Sequence, residues 1–139
     1  MVFYKKLNCY KMKRPWFAII WFAVWGLFQA YTVFSVIAGS WKRPEAFPEV
    51  AYNALKWPDI IFIPLYLSTS VLLILHHRLG YICGLLSGGA VIYVMIYLFA
   101  LSNLRGLENL IFDGIFLVVD VIAVLQIAKR MYGDAFVKI

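Results

Sequence analysis

Charge is what this sequence has least of. Only 14% of its 139 residues are Asp, Glu, Lys or Arg, while 64% are hydrophobic. Soluble domains run at roughly 25% charged and 45–50% apolar. A soluble fold this small has no way to hide so much apolar surface, so lipid is the expected solvent. Cysteine is nearly absent as well. Cys9 and Cys83 form no CxxC pair and sit far apart, which supports neither a disulfide framework nor a quinone-type redox relay. There is no lysine-bearing phosphate loop, no GxSxG, no HExxH and no GxGxxG, so a nuclease, kinase or ordinary hydrolase is excluded and no cofactor is expected. His76 and His77 are adjacent and diverge on a helix. With Arg78 they read as a basic turn rather than a metal site.

The net charge of +6 does not point to nucleic acid. Five of the thirteen basic residues (Lys5, Lys6, Lys11, Lys13 and Arg14) fall in the first fourteen positions, the pattern of an anchor facing anionic lipid.

Four apolar runs, at about 15–39, 58–77, 80–101 and 109–128, each approach the roughly 20 residues a bilayer-crossing helix needs. The expected fold is all-α: one polytopic membrane domain over 1–139, with four transmembrane helices in an up-down bundle. The first run is too long for a signal-peptide core and is expected to stay as an uncleaved span. Nine Lys and Arg fall on one side of this topology and four on the other, which puts both termini in the cytoplasm. The expected location is a plasma membrane of prokaryotic type. Trp16, Trp41 and Trp57 fall at the span boundaries, as interfacial aromatics do. Between the first two spans, Pro48 followed by EVAYNALKW predicts a short helix on the membrane surface, either a connector or a lid.

The third span begins GYICGLLSG. Gly80, Gly84 and Gly88 recur every four residues and form a ridge for close helix packing, against this chain or a second subunit. Tyr93 and Tyr97 fall on roughly the opposite side.

Two carboxylates interrupt the fourth span. Asp113 and Asp120 are seven residues apart, close to two turns, and share a face that Asn109 extends. An Asp at the bilayer centre costs about 2.5–3.5 kcal/mol on insertion scales, so such residues face the bundle interior and are functional candidates. In the second span Asp59, Tyr66, Ser70 and His77 are spaced 7, 4 and 7 residues apart and project along one line. Pro64 lies within that stripe and leaves the carbonyl of Ile60 without its helical partner. The two stripes run in the same direction and predict one cavity, with Gln29 of the first span as a further wall.

No Lys or Arg interrupts the four apolar cores. Arg105 is fifteen residues before Asp120, about 22 Å along a helix, within reach of Asp113 but not of Asp120. Three solutions are open for Asp120: a bound proton, hydroxyl partners such as Tyr66, Tyr93 or Tyr97, or a partner from outside, whether proton, metal ion or cationic ligand.

The layout of four spans carrying buried acids and aromatics resembles the EXPERA group, the sterol isomerases and their receptor relatives. The likeness is of layout without a matched motif string, and it assigns no residue a role. It implies a cavity within the membrane where carboxylates hold a cationic ligand or intermediate.

Three functions follow as expectations. The first is a transporter-like or receptor-like binder of a small ligand or cation, cationic or amphiphilic. It would use Asp120 centrally, Asp113 and Asp59 at the entrance, Tyr66, Tyr93 and Tyr97 as walls, and Asn109 and Gln29 beside them. The second is an intramembrane enzyme on a lipid or isoprenoid. Its acid pair, Asp113 and Asp120, lies roughly 10 Å apart by helical rise and would need Asp59 or Tyr66 alongside. The third is an accessory subunit docking through the glycine ridge onto a membrane-protein partner. Membrane lipid is the one partner common to all three, and a homodimer is the expected way to enlarge so small a bundle.

Overall fold

The computed structural model describes residues 14–43, 45, 47–101 and 107–136. Cys9, Lys5, Lys6, Lys11, Lys13, Arg105 and Lys138 lie outside the described residues. Four helices account for nearly all of the rest: α1 Trp16–Ile37, α2 Glu49–Ile74, α3 Arg78–Ala100 and α4 Leu107–Phe136. No strand occurs among the described residues. All four helices are long and apolar enough to cross a membrane, α4 over Leu107–Tyr132.

The boundaries differ from the sequence expectation in three places. The predicted surface helix is not separate: residues 49–57 are the first turns of α2, which runs on through Pro58 and Pro64. Pro58 withholds one backbone bond, to the carbonyl of Ala54, but the helix-forming residues on both sides carry the ladder past it. The α4 helix continues beyond residue 128 because Lys129 and Arg130 end the apolar run without opposing the helix. At its other end α2 stops at Ile74, short of His77, because His76 takes φ 55°. The His77 amide then donates to the Leu72 carbonyl at 2.9 Å and the His76 amide to that of Leu73 at 3.2 Å, a left-handed cap on α2. His77 in turn caps α3, its Nδ1 accepting from the Leu79 amide at 3.3 Å. The same cap closes α1 around Gly39, φ 71°, with the Ser40 amide donating to the Ser35 carbonyl at 3.0 Å.

Each helix packs on the next, and α4 returns to α1, closing the bundle. Cross-helix contacts show the antiparallel order. Arg14 meets His76, the Ala18 amide meets Gln126, and Thr69 meets Ser87. The end holding the α2–α3 turn is called the turn end below, and the end holding the α1–α2 loop the loop end.

The turn end is tightly knit. Gly80, Gly84 and Gly88 are buried between α2 and α4 of the same chain. A Cβ at Gly80 would meet the Leu73 nitrogen at 2.8 Å, one at Gly84 the Ile127 Cδ1 at 2.5 Å, and one at Gly88 would press on Val124. The ridge is therefore filled internally and is not open to dock a partner. Hydrogen bonds reinforce it. Ser70 donates to the Ile19 carbonyl at 2.9 Å. Thr69 donates to its own Leu65 carbonyl at 2.8 Å, so in its 3.2 Å contact with Ser87 the serine is the donor. Gln126 accepts from the Ala18 amide at 3.0 Å, satisfying one of the orphan donors in the first turn of α1.

The outside of the bundle is apolar. Leu27, Phe34, Ile61, Leu86, Val118 and Leu125 are all exposed. In water such a surface would be a liability; against lipid chains it costs nothing. The arrangement is compatible with a small integral membrane protein.

Candidate functional site

Toward the loop end the helices no longer fill the space between them. A cavity of about 480 Å³ opens there, with walls from every helix and from the α1–α2 loop. The first helix contributes Trp25, Phe28, Gln29 and Thr32, and the loop contributes Trp41 and Phe47. The second contributes Tyr52, Lys56, Pro58 and Asp59. Met95 and Leu98 come from α3, and Asn109, Phe112, Asp113 and Phe116 from α4.

Phe47 explains how the loop covers this space. It is 3% exposed, though it belongs to no helix. Its ring meets Tyr52 edge-on at 6.3 Å, its carbonyl accepts from Arg43, and the Tyr52 hydroxyl donates to the Trp41 carbonyl at 3.3 Å. The loop is thereby folded back over α2 and forms part of the cavity wall.

The polar groups of the cavity come from three helices. Gln29 is buried, and the Thr32 hydroxyl donates to its backbone carbonyl at 2.9 Å. Asp113 is buried and Asp59 half-buried; Asp113 and Asn109 each have a partner within the chain. Lys56 stands one turn before Asp59 on the same wall. The walls thus carry two carboxylates and one ammonium, and the rings of Trp25, Trp41, Phe47 and Phe112 make up much of the remainder. Carboxylates act more strongly away from bulk water, and ring faces are favourable to positive charge.

Four of the eight residues singled out from the sequence line this cavity: Asp59, Asp113, Asn109 and Gln29. The other four are elsewhere. Asp120 lies below the cavity floor, fully buried, with Oδ1 accepting from the Trp21 indole N–H at 2.9 Å. The floor is aromatic: Trp21, Trp25 and Phe116 lie 4.9 to 5.8 Å apart, centroid to centroid, and only Trp25 and Phe116 face the cavity. The partner of Asp120 is therefore an indole of α1 and not one of the tyrosine hydroxyls. Among the described residues its Oδ2 has no hydrogen-bond partner, and neither has Trp25 Nε1.

Tyr66 is packed among Phe22, Trp25 and Phe62 and does not line the cavity. Tyr93 and Tyr97 face a separate lateral groove and are exposed. The reason is the glycine ridge. With Gly80, Gly84 and Gly88 turned inward against α2 and α4, the opposite side of α3 is turned outward, and the tyrosines go with it. Asp113 and Asp120 consequently share no cavity, and an acid–base pair built from them lacks its geometry. Asp59 and Asp113 are the acids that do share one.

Trp21, Trp25, Thr32 and Lys56 were not singled out from the sequence. A signal existed for three of them: Trp21, Trp25, Phe28, Gln29 and Thr32 follow the helical three-and-four spacing of a single face. Lys56 was hidden by the expectation that α2 begins at residue 58. Among the described residues no three His, Cys, Asp or Glu side chains gather to hold a metal ion. Comparison of the chain with protein families, with curated proteins and with solved structures finds no match in any of the three.

Proposed function

We propose that this is an integral membrane protein that binds a small cationic or amphiphilic ligand in the loop-end cavity, as a receptor or carrier does. The observation that carries the reading is the convergence of Asp59 from α2 and Asp113 from α4 on one aromatic-walled space of about 480 Å³. That volume is within the range of roughly 300–1,000 Å³ typical of small-molecule sites, which are mostly apolar with a few placed polar groups. The head group of the ligand is positive because Asp59 faces this space beside Asp113, among ring faces that favour positive charge. Its body is apolar because most of the lining is.

Trp25 and Trp41 in the wall supply the readout. Titrating the purified protein with hydrophobic amines is expected to change its tryptophan fluorescence saturably. Asp59→Asn and Asp113→Asn should each weaken the affinity roughly tenfold or more, the scale of losing one charge partner in a desolvated site. A flat titration in the wild-type protein, or affinities indifferent to both substitutions, would overturn the reading.

A further inference from the structure

A second space lies against the cavity. The groove between α2 and α3 holds about 440 Å³ and is walled by Ala51, Ala54, Phe62 and Ala90, with Tyr93 and Tyr97 at its edge. Pro58 and Val94 line both spaces, so those two residues are all that is common to the wall between them. The chemistry changes across that wall. The cavity has Asp59, Asp113 and Lys56, whereas no charged residue lines the groove.

The origin of the groove lies in the two seams of α2 and α3. At the turn end the helices are pinned by the turn at 75–77 and by the absence of a Cβ at Gly80. Farther along, alanines occupy the facing positions and are too small to fill the space between the helices. Tyr93 is 72% exposed, so the groove opens on the outer surface of the bundle, where lipid chains lie in a membrane.

We propose that cavity and groove form one site for a single-chain cationic amphiphile. Its head lies beside Asp59 and Asp113, and its alkyl chain crosses the thin wall of Pro58 and Val94 to lie in the groove, which requires the Val94 side chain to move aside. This rests on the binding reading above and extends it to a ligand class. The carboxylates are on one side of Pro58 and Val94 and the uncharged walls on the other, which matches the two halves of such a molecule. A chain-bearing ligand partitions into the bilayer before it binds, and the groove faces the region where its chain already resides.

The test uses the full-length protein in phosphatidylcholine nanodiscs and a series of alkyltrimethylammonium ions, whose charge does not change with pH. Binding is read from tryptophan fluorescence. Ala54→Phe fills the groove from α2 at an exposed position, and Ala90→Leu fills it from α3. The butyl compound is expected to bind wild type and both variants alike. The dodecyl compound should bind each variant at least about tenfold more weakly than wild type, the loss expected when a few methylenes leave an apolar site. Lipid partitioning is common to all three proteins and cancels in the ratio.

If the dodecyl affinity is unchanged in both variants while butyl binding still depends on Asp59, the groove is no part of the site and the cavity reading stands alone. If the dodecyl ion binds Asp59→Asn as well as wild type, the head is not where we place it and the proposal fails. If neither ion binds the wild-type protein, the cavity reading falls and this inference falls with it.

Discussion

At the turn end, Gly80 is so close to α2 that a methyl group there would meet the Leu73 nitrogen at 2.8 Å; at the loop end, the same four helices leave about 480 Å³ between them. Both regions are built from apolar helices of similar length, so overall hydrophobicity does not distinguish them. The size of the residues at the seams does. Glycine, serine and threonine let backbones approach, and Ser70, Thr69 and Ser87 tie α2 to α1 and α3 by hydrogen bonds. Aromatic rings, Met95 and a folded-back loop hold the helices apart around a space they do not fill. In lipid no hydrophobic force drives helices together, so close packing of small residues determines where a bundle closes.

The largest effect should come from making the turn end resemble the loop end. Gly80→Ala places a methyl group against the backbone of Leu72 and Leu73, which has no rotamer with which to yield. The expected cost is about 1–3 kcal/mol, the scale of overpacking, visible as a lower midpoint in thermal unfolding followed by circular dichroism in detergent. Gly84→Ala presses on the flexible end of the Ile127 side chain, with Thr69 at ordinary contact distance, and should cost less. Equal stability of Gly80→Ala and wild type would remove glycine packing as the reason the turn end is closed.

A smaller effect tests the junction of the two regions. Trp21→Phe keeps the ring in the cavity floor and removes the N–H that Asp120 accepts. A buried acceptor without its donor costs about 1–3 kcal/mol, while Asp120→Asn keeps an acceptor for Trp21 and should cost less than Trp21→Phe. Unfolding in sodium dodecyl sulphate, titrated for both variants, checks the order. The opposite order would show that the Trp21 bond is not what fastens α4 to α1.

The smallest effect is expected where the bundle is hollow. Val33 lines the cavity, so the extra methylene of Val33→Leu enters open space and stability should shift by no more than about 0.5 kcal/mol. A loss of the size seen at Gly80 would mean that the loop end is as tightly packed as the turn end and that the contrast drawn here is wrong.

Much of this was legible from the residues. The four spans follow from run length and mean hydropathy. The inward glycine ridge follows from four-residue spacing, and the outward Tyr93 and Tyr97 are its geometric complement. Asp59 and Asp113 were placed at one end of two helices running the same way. The start of α2 was misread because Pro58 looks like a boundary, and a single proline is not enough to stop helix formers on either side. Three solutions were left open for Asp120, and the indole of Trp21 was not named among them: only Trp16, Trp41 and Trp57 had been given a place, at the membrane interface, whereas Trp21 lies a full turn inside α1.

The sequence by itself determined that the chain is a set of four apolar helices, because helix length against bilayer thickness and the satisfaction of backbone hydrogen bonds in lipid are local requirements. It also determined which faces carry polar atoms, since helical periodicity is fixed at 3.6 residues per turn. Only the tertiary structure decided which polar faces meet. It put Asp59 and Asp113 on one cavity, sealed Asp120 beneath a floor of three aromatic rings, and turned the two tyrosines of α3 outward. Those outcomes depend on how far each helix is rotated about its own axis and how closely it approaches its neighbours. In lipid that rotation is set by side-chain packing across seams between residues far apart in the chain.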